Sequence, residues 1–179
     1  MLSGSKTRAV TPRKVWHLAL LLCLFVAVAG ASNARRVTGT YRNYAEGFSV
    51  EVPKGLEGVA GDADGPERGL RIPLQSGGSI SIYGEPNSLE WKSADEGVRW
   101  MLTVYKCGSE QKPSSALIGS VRGASGPSIC KDRFIAVLLA FRPKGGPIYW
   151  FILKTSANHR DDKRVLERVA ESFKIIAWK

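Results

Sequence analysis

Few residues in this chain are equipped for catalysis, and their spacing narrows the options further. Acyl transfer through a Ser-His-Asp or Cys-His arrangement needs an imidazole base. The histidines are His17, inside an apolar leader, and His159, beside Asp161 and Asp162 where the last helix begins. Any such mechanism would have to join His159 to a distant Ser, Cys107 or Cys130. No Gly-x-Ser-x-Gly elbow between strand and helix accompanies them, so His159 reads as a surface residue in a helix's first turn. A transition-metal site needs three or four His, Cys or carboxylate ligands, and one histidine with two cysteines does not supply them. Asp62-Ala63-Asp64-Gly65 resembles a calcium loop, but its glycine stands fourth and the later ligands are missing; it reads as an Asp-Gly turn. The glycine triplets Gly55, Gly58, Gly61 and Gly119, Gly123, Gly126 lack phosphate-loop spacing and any following Lys-Ser/Thr. Among acids suited to glycoside hydrolysis, Glu90 stands out through its neighbour Trp91, since an aromatic ring stacks sugars and raises a carboxyl pKa. As a plain loop acid, Glu90 needs no such role. No catalytic residue, cofactor-binding residue or metal ligand is assigned, and no cofactor is implied.

The elements that would hold these groups begin after a leader. Lys6, Arg8, Arg13 and Lys14 precede an uncharged stretch whose core, Leu18–Ala29, reads LALLLCLFVAVA; Ala29-Gly30-Ala31 and Ser32-Asn33-Ala34 follow. A positive segment, a short apolar core and a small-residue exit make a secretory signal peptide, with cleavage expected after Ala31 or Ala34. The core is shorter than the roughly 20 residues a stable membrane span needs. The domain division is therefore 1–34 as a cleaved signal peptide and 35–179 as a single globular α+β domain. Leu22 before Cys23, where a lipobox wants a small residue, argues against lipidation.

The chain carries 26 Lys and Arg against 16 Asp and Glu. The leader takes four of the bases and none of the acids, which leaves the mature chain at +6. That charge is uneven: residues 35–110 balance at −2 and residues 111–179 at +8. Lys112, Arg122, Lys131, Arg133, Arg142 and Lys144 form a candidate anion-binding surface, against the plainer reading of a solvated basic face. Export removes nucleic acid as a partner. What remains is an unknown protein or an anionic envelope component, with membrane contact only through the transient signal peptide.

Phe48, Val50 and Val52 alternate with Ser49 and Glu51, a half-buried strand stopped by Pro53 and Gly55. Residues 55–69 read as an exposed loop. Leu70, Ile72 and Leu74 alternate again, and Pro73 places that strand towards an edge; Gly77-Gly78 turns it into a strand carrying Ile80 and Ile82. Ser93 with Glu96 makes a capping box, and Val98, Met101, Leu102 and Tyr105 give the apolar face of a helix ended by Gly108. Ala116–Val121 suggests a weak strand, and the Gly/Ser/Pro-rich residues after it suggest little structure. Phe134–Phe141 and Ile148–Leu153 are apolar on both faces, as in strands covered on both sides, and are placed as the central hairpin. A last helix from about His159 to Phe173 carries Val165, Leu166, Val169 and Phe173 on one stripe, before a short strand at Ile175–Trp178. Trp100, Trp150 and Trp178 fall in apolar periodicities and are assigned to the core; Trp91 is the tryptophan expected at the surface. The fold class is α+β, a mainly antiparallel sheet with two amphipathic helices.

The segment from Tyr41 to Leu56 (YRNYAEGFSVEVPKGL) resembles the opening of PsbP/Mog1-like domains: an aromatic and polar stretch, Gly-Phe-Ser, an alternating strand, then Pro-x-Gly. Leu56 stands where those domains more often carry Trp. Glu171-Ser172-Phe173-Lys174-Ile175 is similar to their terminal helix running into Ser-Phe. The resemblance implies an α-β-α sandwich of PsbP/Mog1 type and an accessory or binding role. The functional expectation is an exported protein, periplasmic or extracellular, with a non-enzymatic binding or accessory role. Its alternatives are a cationic domain associating with an anionic envelope component, and a small secreted hydrolase.

Cys107 and Cys130 are the two cysteines left after the leader, and in an oxidising compartment such a pair is expected to form a disulfide. Non-reducing peptide mapping of the exported protein should recover the Cys107–Cys130 peptide pair. Uptake of two equivalents of alkylating agent without reduction would overturn the bond.

Overall fold

The computed structural model describes residues 34–61, 69–105, 112–130, 133–142, 146–156 and 160–177. The leader, Asp62–Gly65, Cys107, Gly108, Lys131, Lys144, His159, Trp178 and the Cys130 side chain lie outside the described residues, so the expected disulfide does too.

The two apolar runs are adjacent antiparallel strands, β9 (Arg133–Ala140) and β10 (Ile148–Ser156), paired from Tyr149 opposite Ala140 to Ser156 opposite Arg133. Their side chains alternate between two separate cores. Phe134, Ala136, Ala140, Tyr149, Phe151 and Leu153 enter one; Ile135, Val137, Leu139, Ile148, Trp150 and Ile152 enter the other. Six more strands extend the sheet: β1 (Arg35–Val37), β4 (Gly58–Ala60), β5 (Leu70–Pro73), β6 (Ser79–Glu85), β7 (Ser114–Ile118) and β8 (Val121–Cys130). The spatial order is β1-β4-β5-β6-β10-β9-β8-β7, every pairing antiparallel, with the hairpin at its centre. A second sheet joins β2 (Gly39–Asn43), β3 (Phe48–Val52) and β11 (Lys174–Ile175) in the order β11-β3-β2.

Helix α1 (Ala94–Val104) covers one face of the large sheet, contributing Ala94, Val98, Met101 and Leu102 to the second core. Helix α2 (Arg160–Glu171) shares the first core with the small sheet through Leu166, Val169 and Ala170, beside Phe48, Val50 and Val52. Phe173, just past α2, meets the rings of Tyr149 and Phe151 at 5.0 and 5.4 Å. Each such aromatic pair adds about 0.5–1.5 kcal/mol beyond its buried area. The result is an α+β fold with helix, sheet and helix-plus-small-sheet layers. At the start of α2, buried Asp162 accepts hydrogen bonds from the hydroxyls of Ser76 (2.6 Å) and Thr155. That carboxylate ties the β5–β6 turn and the end of β10 to the helix.

Several elements depart from expectation. The loop read over 55–69 contains β4, whose three residues pair with β1 and of which Val59 and Ala60 also pair with β5. Pro73 does not lie on an edge strand: β5 sits between β4 and β6. Pro73 is tolerated because β4 pairs only with Leu70 and Arg71, so no partner on that side needs its missing N–H. The weak strand at Ala116–Val121 is a hairpin: β7 ends at Ile118, Gly119 turns at φ 55°, and β8 begins at Val121. The Gly/Ser/Pro-rich segment is β8 itself, ten residues long. Trp100 is 43% exposed and not in the core, because its position on α1 points away from the sheet. Trp91 is half-buried, its ring against Trp150 at 5.5 Å.

Glycine explains why β8 escaped detection. A Cβ on Gly126 would lie 2.6 Å from Val98 Cγ1 and 3.0 Å from Leu102 Cδ1, so the bare backbone is what lets α1 close onto the strand. Gly126→Val should destabilise the domain by about 1–3 kcal/mol, read as a lowered urea midpoint. An unchanged midpoint would contradict this packing of α1 on β8.

Candidate anion-binding cleft

The first turn of α1 is fixed by its cap. Ser93 Oγ accepts from the Glu96 N–H at 3.4 Å, and the Glu96 carboxylate accepts the Lys92 N–H at 2.8 Å. The carboxylate therefore reaches one residue further back than the expected capping box, and it pins the backbone that carries Lys92. Just upstream, the Asn87 side chain accepts the Trp91 N–H at 3.1 Å and donates to the Trp91 carbonyl at 2.9 Å. Glu90 sits inside that clamp at φ 53°, an uncommon value for a non-glycine residue. Glu90 is exposed, while the Glu85 carboxylate is engaged by the Trp150 indole N–H at 2.6 Å.

Opposite this turn lie β8 and the end of β9. The ladder continues past β9, with the Phe141 N–H donating to the Arg122 carbonyl at 3.1 Å, which sets Phe141 opposite Arg122 and Arg142 opposite Val121. The β7–β8 turn needs Gly119, because a Cβ there would meet the Phe173 carbonyl oxygen at 1.9 Å. That turn delivers Ser120 and Val121 to the same place. Lys92, Ser93, Asp95, Ser120, Arg122 and Arg142 line a cleft of about 670 Å³ floored by Ala94, Val121, Phe141 and Ile175. Lys92, Arg122 and Arg142 are exposed. Among the described residues no carboxylate makes an ion pair with any of them. Asp95 is the one acid in the lining, which leaves the wall at +2.

Arg142 also acts below the surface. The Tyr149 hydroxyl is buried with no hydrogen-bond partner among the described residues. Burial raises its pKa; the charge of Arg142 opposes that rise and Glu46 reinforces it. On the far flank of α1, burial lifts the Tyr83 pKa, with Glu85 and Tyr105 adding to it. Lys154 Nζ stands 4.6 Å over the Tyr105 ring, a cation–π contact.

Of the six cations marked in the sequence, the structure brings Arg122 and Arg142 together. Lys112 is exposed ahead of β7, and Arg133 starts β9 at the end opposite Arg142. Lys131 and Lys144 lie outside the described residues. Lys92 was missed because it belongs to the half of the chain with a negative balance. The signal was present in the Ser93 cap, which marks a helix start directly beside it. A smaller cleft of about 440 Å³ by the start of α2 also holds cations, Lys54, Arg160 and Arg168. Its acids are engaged, Asp162 by the hydroxyls above and Asp161 by Arg164 at 3.2 Å. Among the described residues no cluster of three or more His, Cys, Asp or Glu is placed to hold a metal ion.

These elements make a PsbP-like fold. The structure is similar to cyanobacterial PsbP (CyanoP) from Synechocystis sp. PCC 6803, with a TM-score of 0.50 and 16% identity over 83% of this chain and 95% of that one. It also overlaps a protein from Bacteroides thetaiotaomicron VPI-5482, with a TM-score of 0.46 and 12% identity over 77% of this chain and 48% of that one. No protein-family model matches the sequence, and no curated protein matches it. The likeness carried by the Gly-Phe-Ser strand and the Ser-Phe ending is a likeness of fold.

Proposed function

We propose that this chain is an exported, non-enzymatic binding domain that engages an anionic partner through the cleft at the start of α1. One observation carries the reading: Lys92, Arg122 and Arg142, from three separate segments, converge on one cleft without a carboxylate paired to any of them among the described residues. Clustered like charges repel one another, and an anion relieves that repulsion. The PsbP-like fold supports an accessory role by analogy of fold. The leader supports delivery to the periplasm or the exterior, where anionic envelope components are the available partners.

Full-length chain made in an exporting host should appear outside the cytoplasm with a mass lacking residues 1–31 or 1–34. Retention of Leu18–Ala29 in that species would remove the exported reading. On a heparin column, Arg122→Gln/Arg142→Gln should elute at clearly lower salt than Arg36→Gln/Arg42→Gln, which removes the same charge from exposed positions on β1 and β2. Equal elution of the two variants would mean that net charge, not the cleft, governs anion binding.

A further inference from the structure

We propose that the cleft takes a phosphate group joined to an apolar body. This rests on the anion-binding reading above and names the chemistry of the ligand. The first argument is charge. A phosphate monoester carries about −1.5 to −2 at neutral pH, and the lining offers +2 after Asp95 is counted. A carboxylate would be met by a single arginine fork. A guanidinium group on β8, a second just past the end of β9 and an ammonium from a third segment suit an anion with three acceptor oxygens. Asp95 occupies the first turn of α1 and screens the helix end, so the oxyanion sits towards Arg122 and Arg142. The Ser93 and Ser120 hydroxyls line the same wall and can supply neutral donors.

The second argument is the floor. Val121, Phe141 and Ile175 are half-buried beside the cations, and Ala94 is buried. A free inorganic ion would leave that apolar surface wet. An ester whose organic part is aromatic or aliphatic covers it while its phosphate meets the arginines. The cleft's volume, about 670 Å³, falls within the range of small-molecule sites.

The ligand is either a soluble phosphate monoester or the headgroup of a lipid, and the test separates them. Calorimetric titration of the mature protein would use phenyl phosphate, inorganic phosphate and phenol. Flotation would use phosphatidylcholine vesicles with and without phosphatidic acid. Phenyl phosphate should bind about tenfold more tightly than inorganic phosphate, and phenol should not bind. Arg122→Gln/Arg142→Gln should weaken phenyl phosphate by about tenfold or more, while Arg36→Gln/Arg42→Gln, at exposed positions on β1 and β2, leaves it unchanged. Binding to phosphatidic acid vesicles alone, lost in the cleft variant, also supports the proposal and assigns a lipid source. Failure of both probes, equal affinity for phenyl and inorganic phosphate, or equal binding by the two variants would overturn it. If heparin retention still depends on the arginine pair after such a failure, the anion-binding reading stands and the phosphate ester falls.

Discussion

Strands β9 and β10 are apolar on both faces, and the rest of the fold answers that condition. A strand pair of this kind is unstable unless two separate layers shield it. On one side α2 and the small sheet supply Leu166, Val169, Phe48 and Val50; on the other α1 supplies Val98, Met101 and Leu102. Where α1 does not reach, the sheet changes character. The half-buried residues of β6 on that side are Ser79, Ser81, Tyr83 and Glu85, alternating with buried Ile80, Ile82 and Gly84. That face of β6 is only half-buried and mostly polar, with Tyr83 still packed against the second core.

Closing α1 onto the hairpin requires room, and the sequence makes it by removing side chains. A Cβ on Gly97 would lie 2.5 Å from Leu139 Cδ2, as one on Gly126 would strike Val98. These absences set how deeply the helix sits, and so where its first turn ends up relative to β8. Without that approach Lys92 would not share a cleft with Arg122 and Arg142. The packing of the second core and the electrostatics of the cleft are thus one geometric fact.

Legibility from sequence followed side-chain pattern. Phe48, Val50 and Val52, the apolar runs of β9 and β10 and the stripe of α2 depend on side chains whose periodicity reports their burial, and they fall where the reading placed them, while Ser49, read on the wet face of β3, is buried as well. What escaped were elements whose pairing is carried by backbone. β8 contains Gly123, Ala124, Ser125, Gly126, Pro127 and Ser128 and has almost no hydrophobic periodicity, because its neighbours need it narrow. β4 is three residues long, too short for any period to register. The tryptophans failed for a related reason: periodicity places Trp100 on a helix but does not say how wide that helix's buried stripe is. In the cleft, two arginines stood out because they belong to the basic half of the chain. Lys92 did not, since charge summed along the sequence ignores which segments the fold brings together.

Three of these cations line one cleft, an arrangement that differs from an evenly basic surface. At physiological salt the Debye length is about 8 Å, so exposed cations further apart than that act nearly independently of one another. Charges that share a cleft remain within reach of a single ligand, and low-dielectric walls of Val121, Phe141 and Ile175 limit the screening around them. Three cations elsewhere on this surface are engaged: Arg36 with Glu57 at 3.0 Å, Arg164 with Asp161 at 3.2 Å, Lys163 with Glu167 at 3.9 Å. Pairs of that exposed kind contribute little to stability, so having none around Lys92, Arg122 and Arg142 among the described residues costs the fold little. What it does change is the balance of charge in the cleft, whose lining carries +2 with Asp95 counted.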